Sequence, residues 1–153
     1  MRALELKFPP VAQFLVAGGL MWLLAAVVPS AAFRMPGQLL LASVILLAAG
    51  LVGMASVRSF ARVGTTFNPM RPDAASRLVI HGVYRRTRNP MYLSLLLALA
   101  AWGTWLGNVA ALAVVPVFVL AMNRLQIQPE ERALEALFGQ DFIAYKQQVR
   151  RWL

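Results

Sequence analysis

Long apolar stretches alternate with polar segments along this chain. Apolar residues fill positions 11–28 and 37–57, and two shorter stretches cover positions 91–106 and 109–122. A helix needs roughly 20 such residues to cross the hydrocarbon core of a bilayer. The pattern therefore predicts four transmembrane helices, the last two of them slightly short and tilted or sunken. Only the residues Gly107-Asn108 separate these two helices, which predicts a tight turn and an antiparallel hairpin.

Two polar segments, at positions 58–90 and 123–153, separate and follow the apolar stretches. Glycine and proline residues between positions 64 and 72 predict irregular structure in the first segment. In the second segment, Pro129 followed by two glutamates predicts the start of a helix, and Gly139 predicts its end. A second amphipathic helix follows. Both helices are basic enough to lie in the membrane interface.

The composition places the chain in the membrane class. Of its 153 residues, 59% are hydrophobic and 14% are charged, whereas soluble domains carry about 25% charged residues. The chain has no cysteine and only one histidine, His81, so disulfides, thiolate catalysis and cysteine- or histidine-rich metal sites are excluded. No Gly-x-Gly-x-x-Gly motif of a Rossmann domain occurs. We predict a single all-α membrane domain over residues 1–153, with four transmembrane helices, interfacial C-terminal helices and no metal.

The charge distribution predicts the orientation in the membrane. The net charge is +9, yet the connection between the first two helices carries only Arg34, and the hairpin turn carries no basic residue. The remaining lysines and arginines lie on the opposite side. The positive-inside rule then places both termini, the loop 58–90 and the segment 123–153 in the cytosol. Basic flanks also attract anionic lipids, so nucleic acid is not an expected partner. The composition favours a bacterial inner membrane.

The polar segments carry two ordered blocks of residues. The first is Gly82-x-Tyr84-x-x-x-Arg88-Asn89-Pro90-x-Tyr92, and the second is Glu130-Glu131-x-x-Leu134, Phe138-Gly139, Tyr145 and Arg150-Arg151-Trp152. Together they resemble the signature of the isoprenylcysteine carboxyl methyltransferase and phospholipid methyltransferase superfamily. One residue departs from the pattern, because many members have histidine where this chain has Asn89, and asparagine cannot titrate.

The resemblance implies an S-adenosylmethionine-dependent methyltransferase whose cofactor is held by these blocks rather than by a Rossmann domain. The implied cofactor contacts are Tyr84, Arg88, Asn89, Pro90, Tyr92, Glu130 and Glu131. It also implies that a lipophilic acceptor enters from the bilayer between the helices.

Methyl transfer from a sulfonium is an in-line displacement that depends on alignment and on exclusion of water. Glu130 and Glu131 are candidates to lie near the sulfonium or the amine of the cofactor. Glu131 is also a candidate general base for an acceptor that must lose a proton. Arg88 or Arg150 would hold a carboxylate in a bidentate manner. The candidate catalytic residues are therefore Glu131, Arg88 and Arg150. An isoprenylcysteine-like carboxylate, a phospholipid amine and a hydrophobic thiol all remain open as acceptors.

Each feature also has a structural explanation. The two glutamates would favour a helix N-terminus, Tyr84 and Tyr92 would suit an interfacial belt, and the arginines would anchor the helices at the head groups. The competing hypothesis is therefore a non-enzymatic small membrane subunit that binds anionic lipid or a partner protein. The enzyme hypothesis requires a cleft for the cofactor beside Glu130 and Tyr92.

Overall fold

The computed structural model describes residues 5–63 and 77–153, and most of this part of the chain is helical. Its α-helices are α1 (Pro10–Val27), α2 (Gln38–Val63), α3 (Pro90–Leu106), α4 (Val109–Leu112), α5 (Val114–Met122), α6 (Gln128–Phe138) and α7 (Gln140–Gln148). Short 3₁₀ turns cover Pro29–Ala31 and Gly82–Arg85, and a π-helical stretch covers Asn123–Ile127. The described residues form no β-strand beyond one isolated bridge. The all-α prediction is confirmed.

The lengths and apolar character of the helices fit a membrane protein. Helices α1 and α2 and the continuous helical stretch Val109–Phe138 are each long and apolar enough to span a bilayer, and α3 is a shorter apolar helix. Helix α2 continues to Val63, six residues beyond the apolar stretch that ends at position 57. Arg62 in its last turn complements the helix dipole. The irregular structure predicted for residues 64–72 lies outside the described residues.

A tight turn joins α3 to α4 and closes the predicted hairpin. Gly107 ends α3 at φ +62°, a left-handed conformation that favours glycine. A Cβ atom there would lie only 2.7 Å from the carbonyl oxygen of Phe33. Asn108 then caps α4, since its side chain accepts a hydrogen bond from the backbone N–H of Ala111 and donates one to the carbonyl of Val28 at 2.9 Å. The turn thus fixes the hairpin against the end of α1.

Two prolines shape the last long helix. Pro116 lacks the N–H that would bond to the carbonyl of residue 112, and a turn at Ala113 distorts the helix locally between α4 and α5 without ending it. Pro129 follows the π-helical stretch, in which the N–H of Gln128 bonds to the carbonyl of Asn123, five residues back. The helix therefore continues through Pro129 rather than beginning there, although Gly139 ends it as predicted, at φ +53°.

A single apolar core runs between α1, α3 and the last long helix. Its buried members are Ala17, Met21, Tyr92, Leu99, Ala111, Val114, Phe118, Met122 and Ile127. Helix α2 packs chiefly along α3, where a Cβ atom at Gly53 would lie 3.3 Å from the hydroxyl of Ser94. The core thereby holds the start of α3 beside the π-helical stretch, which brings the two polar blocks of the sequence to the same end of the bundle.

Candidate functional site

The 3₁₀ turn that precedes α3 places Tyr84 inside the bundle. Gly82 opens the turn at φ +64°. The Tyr84 hydroxyl hydrogen-bonds the hydroxyl of Ser56 on α2 at 2.8 Å, and the Tyr84 carbonyl accepts a hydrogen bond of 2.7 Å from the hydroxyl of Tyr145 on α7. Both tyrosines are buried, and burial raises the pKa of each hydroxyl well above its usual range. The turn therefore ties α2, α3 and α7 together.

Glu131 lies between two arginines from opposite blocks of the sequence. One carboxylate oxygen accepts hydrogen bonds from Arg88 at 2.8 Å and from the Nε of Arg151 at 3.1 Å, and the other accepts one from Arg151 at 2.6 Å. The Glu131 side chain is 12% exposed and that of Arg88 is 11% exposed. Bidentate pairs of this kind are the stronger class of charged hydrogen bond. Glu131 therefore joins α6 to the start of α3 and to the C-terminal residues.

The C-terminal backbone also bonds to the residues that precede α3. The carbonyl of Arg151 accepts hydrogen bonds from the Asn89 amide at 2.9 Å and from the Thr87 hydroxyl at 3.2 Å. The Arg88 N–H donates to the carbonyl of Arg150 at 3.0 Å, and its guanidinium donates to the carbonyls of residues 146 and 149. Asn89 acts here as a donor to a carbonyl, a role that needs no titratable group. Pro90 occupies the first position of α3, where its missing N–H costs nothing.

Tyr92 and Glu130 form a second, separate pair. The buried Tyr92 hydroxyl donates a hydrogen bond of 2.8 Å to one carboxylate oxygen of Glu130. The Glu130 residue keeps some accessible surface, although its carboxylate is densely surrounded by protein. No arginine or lysine of residues 5–63 and 77–153 forms an ion pair with it. The two neighbouring glutamates therefore differ, since Glu131 is neutralised by two cations and Glu130 is not.

The predicted site residues thus lie at one end of the bundle, with one exception. Arg88, Asn89 and Glu131 share Arg151 as a partner or bond directly, and Tyr92 pairs with Glu130. Tyr84 and Pro90 lie in the turn before α3 and at the first position of α3. Arg150 is exposed, and among the described contacts only its backbone carbonyl takes part in the network. Arg151, Thr87 and Ser56 also take part in contacts at this end of the bundle, although none of them was a predicted site residue. The Arg150-Arg151-Trp152 block was the only signal that pointed to Arg151.

Two observations bear on whether a cofactor fits here. The Nε of Arg88 is buried and has no hydrogen-bond partner within the described ranges, so one guanidinium donor remains for a carboxylate. Glu130 supplies a carboxyl group with no cationic partner among the described residues, which suits a sulfonium or an amine. These two groups have the chemistry to bind the carboxylate and a positive charge of S-adenosylmethionine.

Two cavities lie elsewhere in the described structure. An apolar groove of about 830 Å³ lies between α1, α2 and α3, and Trp22, Trp102 and Trp105 line its walls. A second cavity of about 600 Å³, lined by His81, Arg85, Asp141 and other residues, lies between residues 78–85 and α7. Neither cavity is bordered by Glu130 or Tyr92, so neither is the cleft that the enzyme hypothesis requires beside these residues.

Comparison with known proteins identifies the family. A protein from Haemophilus influenzae, described as uncharacterized, is 56% identical over 63 residues, which is 41% of this chain and the whole of that protein. No solved structure matches. The sequence profile of the phospholipid methyltransferase family matches residues 38–141, a range that contains the first block and the Glu130-Glu131 pair. The match supports an enzymatic role in methyl transfer at a membrane, and the chain belongs to the phospholipid methyltransferase family.

Proposed function

We propose that this protein transfers a methyl group from S-adenosylmethionine to a lipophilic acceptor, for which a phospholipid amine is the best candidate. The observation that carries the proposal is the Tyr92–Glu130 pair, a buried hydroxyl bonded to a carboxylate that has no cationic partner among the described residues. It lies at the same end of the bundle as Arg88, whose Nε has no hydrogen-bond partner in that part of the chain. The family match supports the same reaction and, through its name, the phospholipid acceptor.

The residues divide into binding and supporting roles. The Glu130 carboxylate would lie near the positive charge of the cofactor, and the Arg88 Nε would hold its carboxylate. When bound, S-adenosylmethionine supplies a methyl group already activated on a cationic sulfur. Glu131 is engaged by Arg88 and Arg151, so it orients Arg88 rather than accepting a proton. This assignment moves the role of candidate base from Glu131 to Glu130.

An amine acceptor must be unprotonated before its nitrogen attacks the methyl group. Glu130 can take that proton, and the Tyr92 hydroxyl fixes the orientation of its carboxylate through the 2.8 Å hydrogen bond. Arg150 remains a predicted site residue. Its exposed position suits the phosphate of a lipid head group better than the cofactor.

We also propose that this end of the bundle faces the cytosol. It contains Arg88, Arg124, Arg132 and Arg151, whereas the connection between α1 and α2 carries only Arg34. S-adenosylmethionine would be available on that side. The relative in a bacterium, Haemophilus influenzae, supports a bacterial inner membrane.

Calorimetric titration with S-adenosylmethionine, in protein freed of acceptor lipid, tests the cofactor assignment, because S-adenosylhomocysteine lacks the sulfonium charge that Glu130 would face. We expect saturable binding by the detergent-purified protein and at least about tenfold weaker binding by Glu130→Gln, because the variant removes the charge and keeps the shape. Glu135→Gln is the matched control, since Glu135 lies on the same helix and pairs with the partly exposed Lys146. Absence of binding by a folded wild-type protein would refute the cofactor assignment. Equal loss in both variants would show that Glu130 has no special role.

A second experiment identifies the acceptor. The protein would be incubated in nanodiscs with S-adenosylmethionine labelled in its methyl group, and the label would be followed into the lipid fraction. We expect transfer when the nanodiscs contain phosphatidylethanolamine. Transfer only to an added prenylcysteine or to a hydrophobic thiol would exclude the phospholipid amine. No transfer to any acceptor, despite cofactor binding, would favour the non-enzymatic subunit.

A further inference from the structure

The N-terminal segment, defined here as residues 5–8, contacts the helix that carries both glutamates. The backbone N–H of Leu6 donates a hydrogen bond of 3.0 Å to the carbonyl of Leu125, which lies within the π-helical stretch. At its other end the segment is tied to α1, since the Gln13 amide donates a hydrogen bond of 2.9 Å to the carbonyl of Phe8. The segment thus bridges α1 and the helix just before Glu130.

Pro129 explains why the carbonyl of Leu125 needs a partner from outside the helix. In an α-helix this carbonyl would accept a hydrogen bond from the N–H of residue 129, but proline has no N–H, and its ring clashes with the carbonyl four residues back. The π-helical stretch Asn123–Ile127 relieves that clash. Leu6 then supplies the missing donor.

Two further features show that this contact is specific. Leu6 has φ +57°, a left-handed conformation that is unfavourable for a residue with a side chain. Glu5, whose side chain is 11% exposed, forms ion pairs with Arg132 and, at 3.6 Å, with Arg124. These arginines lie on either side of Pro129 in the sequence. The backbone strain at Leu6 is therefore held in place by charges on the helix that it contacts.

We propose that the N-terminal segment holds the π-helical stretch Asn123–Ile127 and the Pro129 that follows it in their observed hydrogen-bond register, and we call this role the latch. Glu5 and Leu6 are then positioning residues for Glu130. Successive residues of an α-helix are rotated by about 100°. A change of one residue in the register would therefore turn Glu130 away from Tyr92 and Glu131 away from Arg88. This inference rests on the proposed function for its catalytic meaning, but the register itself is testable without the cofactor.

The latch is tested with Glu5→Gln, with Pro129→Ala and with the double variant. Glu5→Gln removes the ion pairs and keeps the backbone, whereas Pro129→Ala restores an N–H that can bond to Leu125 within the helix. We expect each single variant to weaken the binding of S-adenosylmethionine about fivefold or more. The double variant should bind no more weakly than the single variant with the larger loss. Pro129→Ala should not lower the melting temperature, because alanine favours a helix more than proline does.

A merely structural role gives a different result. Glu5→Gln and Pro129→Ala would then leave the dissociation constant of the folded protein unchanged, and that outcome overturns the latch. Additive losses in the double variant would also overturn it, because they would show that the ion pairs and the proline act independently. Glu135→Gln again serves as the control and should bind like the wild type.

The register is measured separately by cysteine labelling, since the chain has no cysteine of its own. Single cysteines at the half-buried Ala133 and at the exposed Ala136 report the rotation of α6 through their rates of reaction with maleimide. We expect Glu5→Gln to change the ratio of the two rates. An unchanged ratio refutes the latch, whether or not the wild type binds the cofactor, whereas failure of the wild type to bind refutes only the proposed function.

Discussion

Glu131→Gln is expected to destabilise the protein strongly. The substitution keeps the shape of the side chain but removes the charge that Arg88 and Arg151 share, and Arg88 is 11% exposed in this position. Removal of one partner from a buried ion pair costs roughly 3–5 kcal/mol. Because the Arg151 side chain is one-third exposed and screened by water, we expect a value at the lower end, about 3 kcal/mol. For a chain of this length, this corresponds to a fall in melting temperature of about 6–12 °C.

The neighbouring glutamate provides the contrast that tests this reasoning. Glu130→Gln weakens only the hydrogen bond that one Glu130 oxygen accepts from Tyr92, so we expect a loss of stability of only about 1 kcal/mol. Thermal unfolding of both variants would be measured in the same detergent, together with the Glu135→Gln control. A fall of less than about 2 °C for Glu131→Gln, or equal falls for Glu130→Gln and Glu131→Gln, would refute the division into a supporting and a binding glutamate.

Three further predictions concern the contacts around the site. Tyr84→Phe and Ser56→Ala should each cost about 1 kcal/mol of stability, and a double-mutant cycle should show that the losses are not additive, because both remove the same hydrogen bond. Arg151→Lys should lower the melting temperature more than Arg150→Lys, because lysine cannot reproduce the bidentate pair with the carboxylate; equal effects would contradict the assignment. Burial raises the pKa of Tyr145 in the folded protein, so the protonated hydroxyl favours the folded state at pH values below about 10. This contribution to stability is lost as the pH rises above that value. The free energy of unfolding, measured as a function of pH, should therefore fall less steeply above about pH 10 for Tyr145→Phe than for the wild type.

The sequence was sufficient to predict the helical membrane class and the end of the bundle where the polar blocks meet. The apolar stretches have the length of membrane spans, and Pro90, Gly107 and Gly139 each mark a helix boundary that the structure confirms. These features are local, since each depends on one residue and its immediate neighbours.

The partners within the site could not be predicted, because they depend on contacts between distant segments. Glu131 pairs with Arg151 rather than with Arg150 because α7 ends at Gln148 and the backbone then becomes extended. The spacing of residues in the sequence does not predict this change of backbone conformation. The contact of Tyr84 with Ser56 likewise depends on the packing of α2 along α3.

Pro129 shows a different difficulty. Proline followed by glutamates is typical of a helix start, yet the helix continues through it because Leu6, more than a hundred residues earlier, bonds to the carbonyl of Leu125. A sequence pattern describes the hydrogen bond that proline removes. It does not describe the donor that replaces it.

The continuous helical stretch Val109–Phe138 has a mechanical consequence. Its 30 residues extend over about 45 Å at 1.5 Å per residue, which exceeds the roughly 30 Å of the hydrocarbon core. A thinner or thicker bilayer would change the tilt of this helix, and its polar end carries Glu130 and Glu131. The catalytic rate should therefore respond to the acyl-chain length of the surrounding lipids, so that the enzyme would sense the thickness of the membrane in which it works.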